Sequence, residues 1–230
     1  MTAGKRPAKP HHDGHRERLR VRFMEAGASA LADYELLELI LFRAVPRRDV
    51  KPDAKALIAH FGSFADVISA EPALLREQID SESVVRELKI VQAAALHLTQ
   101  GAIMNRPVLS GWPALLEYCQ AAMAYEKNEQ FRVLFLDSQN AVIANEKQQQ
   151  GSVNHTPVYP REVMKRAMNL SASSIILVHN HPGGDPTPSR ADIEMTKQIV
   201  EAGKPLKVAV HDHLVIGRKK TVSFRQLGLI

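Results

Sequence analysis

The sequence predicts an α/β protein in which a small all-α domain precedes a mixed sheet flanked by helices. Three observations predict it. Apolar residues between about Arg16 and Asn105 recur at helical spacing, and beyond them helix-like and strand-like patterns alternate. The apolar run Ser174-Ile175-Ile176-Leu177-Val178 then leads into His179-Asn180-His181-Pro182-Gly183-Gly184 and Ser189-Arg190-Ala191-Asp192, which reads as strand end, tight turn and helix start.

The first element is a tail, residues 1–15. Residues 1–22 carry seven Lys or Arg against two acids, and this Pro- and Lys-rich stretch reads as a disordered basic tail whose His11, His12 and His15 receive no role. Residues 16–104 read as the helical domain. Leu36, Leu37, Ile40 and Leu41 form one stripe and Ala54, Leu57, Ile58 and Phe61 a second. Val85, Leu88, Val91, Gln92, Ala95 and Leu98 mark a third along Val84–Gln100. Residues 23–105 hold eight bases against twelve acids, so the overall formal charge of +5 does not describe a basic helical domain that would suit nucleic acid. Gly101–Trp112, with Asn105-Arg106-Pro107 and Ser110-Gly111, reads as the linker.

Residues 105–230 form the α/β domain. The expected order is helix 113–126, strands near 131–137 and 141–145, helix 161–169, strand 174–179, helix 190–202, and strands near 206–216 and 221–224. Cys119, the only cysteine, excludes an internal disulfide and reads as a small core residue. Nothing resembles a signal peptide or a run of ~18 apolar residues, so a soluble, cytoplasmic protein without a membrane partner is expected.

The chemistry concentrates at residues 179–192. Residues two apart on a strand share a face, so His179 and His181 can point at one place. Pro182-Gly183-Gly184-Asp185-Pro186 forces a turn, after which Ser189 occupies a helix N-cap position and Asp192 the first turn. Taken alone, Ser-x-x-Asp is a helix cap and His-x-His a weak ligand pair. Together they gather two neutral nitrogen donors and one carboxylate, a set that suits one zinc ion and leaves a fourth position open, as catalytic zinc requires. A zinc deaminase would need a Pro-Cys-x-x-Cys pair, which is absent, and a homing-type nuclease disperses its histidines over a longer unit. His211 and His213 repeat the spacing on a later apolar strand. His213 reads as a satisfied structural histidine near the sheet edge, with a hydrogen bond behind a metal ligand or a further metal pair as the alternatives.

His-x-His-Pro-x-Gly followed by Ser-x-x-Asp resembles the core of the JAMM (MPN+) metalloprotease domain, and its surroundings resemble the bacterial RadC family. Phe131–Asn140 is similar to that family's first strand and turn, Gly151-Ser152-Val153-Asn154 and Pro160-Arg161-Glu162-Val163 to its middle segment, and Asp212-His213-Leu214-Val215-Ile216-Gly217 to its late strand. Ala32–Leu37 and Phe61-Gly62-Ser63 extend the resemblance loosely over the helical domain. It implies a JAMM fold similar to cytidine-deaminase architecture. His179, His181 and Asp192 become the ligands of one zinc ion, and Ser189 a stabiliser of the oxyanion. The family's general acid/base is a glutamate at the start of the strand after the domain's first helix, here Glu129, with Glu146 and Glu162 as rivals. Without the resemblance Glu129 would read as a solvated residue at a helix–strand junction.

The implied activity is zinc-dependent hydrolysis of amide bonds in a protein or peptide substrate. The alternative is a DNA-repair-associated or protein-docking module with a vestigial metal site. Metal-dependent nuclease activity is disfavoured, because in-line phosphoryl transfer commonly uses paired metals. Family members often carry a helix-hairpin-helix whose glycines let backbone amides approach DNA phosphate. The corresponding Ile79-Asp80-Ser81-Glu82-Ser83-Val84-Val85 has no glycine and two acids, so DNA binding is expected to be weakened or lost.

Overall fold

The computed structural model describes residues 11–108, 110–150 and 158–230. Gly151-Ser152-Val153-Asn154 lies outside them. The chain divides into two compact units, Met1–Ala93 and Ala94–Ile230.

The first unit contains α1 (His11–Ala26), α2 (Asp33–Ala44), α3 (Lys51–Phe61), α4 (Phe64–Ser69), α5 (Pro72–Gln78) and the start of α6 (Glu82–Ile103). Leu37 and Leu41 of α2, Ala54 and Leu57 of α3, Val67, Leu75, and Val84, Val85 and Leu88 of α6 close one core. Most of the predicted stripes form or pack against that core; Leu36 and Gln92 do not join it, and Ala95 and Leu98 are exposed. The helix expected from about Arg16 begins at His11. Polar anchors hold it: His15 Nε2 lies 2.7 Å from the buried Glu38 carboxylate, and the buried Arg16 guanidinium donates to the carbonyls of Val45, Pro46 and Arg48. His15 therefore belongs to a part-buried contact, which the polar surroundings of its sequence concealed.

The expected linker is structured at its start and tied to the sheet. The helix α6 runs on to Ile103, and Met104 and Pro107 bridge to Val142 and Ala141. The division between units falls at Ala93/Ala94 within α6, because Leu96, Ile103 and Met104 pack into the core of the α/β unit.

That unit contains α7 (Trp112–Met123), β1 (Gln130–Leu136), β2 (Val142–Gln150), α8 (Pro160–Asn169), β3 (Ser174–Asn180), α9 (Arg190–Gly203), β4 (Ala209–Ile216) and β5 (Thr221–Ser223). It is a mixed α/β sheet of order β2-β1-β3-β4-β5, antiparallel throughout except for the parallel pair β3/β4. β4 begins at Ala209 rather than near 206, since Lys204–Leu206 closes a 3₁₀ turn and Lys207 takes positive φ.

All of β3 is buried, and its alternation assigns the two faces. Ile176 and Val178 join Leu134, Leu136, Leu214 and Ile216 beneath Leu115, Cys119 and Met123 of α7. Ile175 and Leu177 join Phe131, Val133 and Phe135 against Val163, Met164 and Ala167 of α8 and Ile199 of α9. Burial pushes the Cys119 thiol up to about 12, consistent with an inert core residue. Among the described residues no helix is long and apolar enough to cross a membrane.

Candidate metal centre

The site sits where β3 leaves the sheet and α9 begins. β-Alternation carries His179 onto the α8/α9 face of β3, fully buried, with its ring stacked 6.2 Å from that of Phe131 at 11°. One residue beyond the strand, His181 N donates to Ile216 O at 2.9 Å, which holds the departing chain to the end of β4. The turn then closes through Gly184 at φ 90°, a conformation that suits glycine.

Asp192 comes from the first turn of α9. Ser189 Oγ accepts from Asp192 N at 3.1 Å while Asp192 Oδ2 accepts from Ser189 N at 2.7 Å, a reciprocal capping box. That cap aims the carboxylate at the histidines. Asp192 Oδ1 is 3.3 Å from His179 Nε2 and Asp192 Oδ2 is 3.5 Å from His181 Nε2. The two Nε2 atoms are 3.0 Å apart. One donor atom from each of the three residues can be chosen so that all lie within 4.8 Å of one another.

The electrostatics favour a cation. Burial works to raise the Asp192 carboxyl, but hydrogen bonds with His179, His181 and Ser189 outweigh it and hold the group well below the usual carboxylate range. The Asp192 carboxylate raises the proton affinity of His181, and the Asp185 carbonyl and the charge of Glu129 add to that effect. Both imidazoles are poised to ligate through Nε2. His181 Nδ1 faces Asp185 O at 2.8 Å; a carbonyl only accepts, so Nδ1 carries the proton and Nε2 of the neutral ring keeps its lone pair. His179 Nδ1 is occupied by His213 Nε2 at 2.7 Å, leaving His179 Nε2 toward Asp192. Two imidazole nitrogens and one carboxylate oxygen, each backed by a hydrogen bond, make a donor set that could hold one metal ion.

Glu129 stands just before β1. Because Phe131 pairs with His179 in antiparallel register, the continuation of that register runs Glu129 beside His181, and its charge is felt there. Its rivals are engaged elsewhere. Glu146 is bound bidentately by Arg166, whose hydrogen bonds lower its pKa, and Glu162 opens α8 within reach of Arg161 and Lys165.

Two participants escaped the sequence reading, and a third was misplaced by it. Asn180, between the two histidines but on the opposite face of β3, accepts from Gln130 N at 2.8 Å and donates to Glu126 O and Asn128 O, clamping the segment that presents Glu129. Thr196, one turn after Asp192, donates to Asp192 O at 2.6 Å and lies 2.7 Å from His213 Nδ1. Its i+4 spacing from Asp192 was the available signal. His213 is no edge residue: it is fully buried on β4, inside the sheet, and bonded to His179. His211, its sequence neighbour by two, lies near Trp112 instead, and its carbonyl accepts from Arg225.

A cleft of about 560 Å³ adjoins the site, lined by the turn from Gly183 to Pro186 and by Arg218, Lys219 and Lys220.

Residues 109–229 match the profile of the RadC-like JAB domain. A UPF0758 protein of Rhodobacter capsulatus is 60% identical over 213 residues, covering 92% of this chain and all of that protein. The chain belongs to the RadC family, with a JAB domain as its C-terminal α/β unit.

Proposed function

We propose that this protein is a zinc-dependent hydrolase of amide bonds in a peptide or isopeptide, with water as nucleophile and no covalent intermediate. The observation that carries the reading is the convergence of His179 Nε2, His181 Nε2 and the Asp192 carboxylate at the strand–helix junction, every donor within 4.8 Å of the others. A JAB domain is consistent with metal-dependent hydrolysis.

His179, His181 and Asp192 would hold the zinc ion, which would supply Lewis acidity and a water of pKa lowered to ~7. Glu129 accepts the proton of the attacking water and returns it to the leaving amine. Ser189 accepts from Asp192 N through its oxygen, which leaves the hydroxyl proton to donate to the oxyanion. Ser189 is exposed and His181 and Asp192 half-buried, so a large substrate can reach them, whereas buried His179 anchors the centre from below. The basic wall of Arg218, Lys219 and Lys220 suits an acidic stretch of that substrate.

Duplex DNA is a poor candidate partner. Asp80 and Glu82 of the 79–85 hairpin are exposed, and Glu82 pairs with Arg76, so carboxylates stand where phosphate would approach.

The test is metal analysis of the purified chain followed by a peptide-library cleavage screen. One zinc per chain, lost in His179→Ala and Asp192→Ala, is expected. Glu129→Gln should retain zinc while the rate falls by about 10²–10⁴. Absence of bound zinc in the wild type would overturn the metal reading. Full activity in Glu129→Gln on a verified substrate would overturn the base assignment.

A further inference from the structure

Thr196 and His213 are buried polar side chains that the hydrolytic steps above do not use. They lie in one hydrogen-bonded line. Thr196 Oγ1 is 2.6 Å from Asp192 O and 2.7 Å from His213 Nδ1, and His213 Nε2 is 2.7 Å from His179 Nδ1.

The protons along this line can be assigned from both ends. The Asp192 carbonyl only accepts, so the Thr196 hydroxyl spends its one proton there and accepts from His213 Nδ1–H. His213 Nε2 then offers a lone pair to His179 Nδ1–H. Ligation by His179 Nε2 demands the same order from the other end, because that nitrogen must carry a lone pair and Nδ1 the proton. The His213 ring is itself fixed between Phe131, 5.7 Å away between centroids, and Phe224, 4.4 Å away. Its strand partner Leu177 lies two residues before His179 on the same face of β3.

We propose that Thr196 and His213 are positioning residues of the metal centre, forming a relay from the Asp192 carbonyl to His179 Nδ1 that fixes the tautomer and orientation of His179. The relay couples the ligand on β3 to the one on α9 through β4, so that the two elements present their donors as a unit. The inference rests on the reading of His179, His181 and Asp192 as metal ligands.

The experiment uses the full chain and zinc alone, with affinity measured by competition against a chromophoric chelator and apo-state unfolding measured alongside. Thr196→Val keeps the shape and removes the hydroxyl; Thr196→Ser restores it. Thr196→Val is expected to bind zinc about 10–100-fold more weakly, with Thr196→Ser recovering most of the loss. Histidine ring ¹⁵N spectra of the apo wild type should show His179 protonated on Nδ1, with the tautomers mixed in Thr196→Val. A purely structural threonine would lower apo stability without changing that signature. Wild-type zinc binding that Thr196→Val leaves unchanged would overturn the relay alone. A His179 ring that lacks a proton on Nδ1 in the apo wild type would do the same. Absence of zinc binding by the wild type would overturn the ligand reading on which the relay depends. His213→Gln, which can accept and donate in the same directions, is a second variant expected to bind better than His213→Leu.

Discussion

Asp192 Oδ2 accepts from the backbone of Ser189 at 2.7 Å while lying 3.5 Å from His181 Nε2, so a single carboxylate closes a helix cap and faces the histidines of the candidate metal centre. Helix start and ligand geometry are therefore one feature. Ser189→Ala should cost about 1 kcal/mol of stability through the lost cap, and weaken zinc binding because Asp192 loses its aim. Ser189→Asn, which restores a cap but not the hydroxyl, separates the two effects: chemical denaturation should return toward wild type while turnover stays low. Full turnover in Ser189→Asn would exclude the oxyanion role.

Asn180 holds the Glu129 segment from behind. Asn180→Ala leaves the buried Gln130 N–H without its partner, at a cost of about 1–3 kcal/mol, and frees the residues around Glu129. Zinc content should be unchanged while kcat falls about tenfold or more, since small displacements of a catalytic group are expensive. Metal analysis with steady-state kinetics checks both halves; loss of zinc from this variant would mean that the clamp supports the ligands instead.

Gly217 closes the far side of the site. A Cβ there would meet Gly184 O at 2.4 Å and Pro186 Cδ at 2.8 Å, both in the turn whose Asp185 carbonyl holds His181. Gly217→Ala is expected to push that turn away and lower zinc affinity, with little change in the helical unit. Chelator competition read against the circular dichroism spectrum tests this. Unchanged zinc affinity would show that the turn absorbs the methyl without moving His181.

Arg166 holds the Glu146 carboxyl below its usual range. A depressed carboxylate pKa contributes stability that is present above the unfolded-state value of ~4.3 and is lost as the pH falls through the folded-state value. Glu146→Gln should thus lower the unfolding midpoint slightly at pH 7, and the gap should close toward pH 3. Solvent screening keeps the effect small, since both side chains are partly exposed. Activity at neutral pH should be that of the wild type; a large loss would return Glu146 to contention as the base.

The order of helices and strands in the α/β unit was legible because each segment buries a face of the right period. Near-continuous apolar runs along Phe131–Leu136 and Ser174–Val178 leave few other packings. The clustering of His179, His181 and Asp192 was legible for a local reason too. His179, His181 and Asp192 lie within fourteen residues, joined by a turn whose proline and glycines dictate its course. Glu129 was reached only by resemblance, since what brings it near His181 is the β1/β3 register, a pairing across fifty residues.

The sequence by itself determined the local chemistry: an apolar strand that carries two histidines to its end, a tight turn, and a capped helix whose first acid faces back. Tertiary structure decided what stands behind them. His15 passed for tail and pairs with Glu38, Leu98 passed for core and is exposed, and His213 passed for an edge residue and bonds to His179. Periodicity reports which face a residue occupies, and strand order and register alone decide which distant partner meets it there.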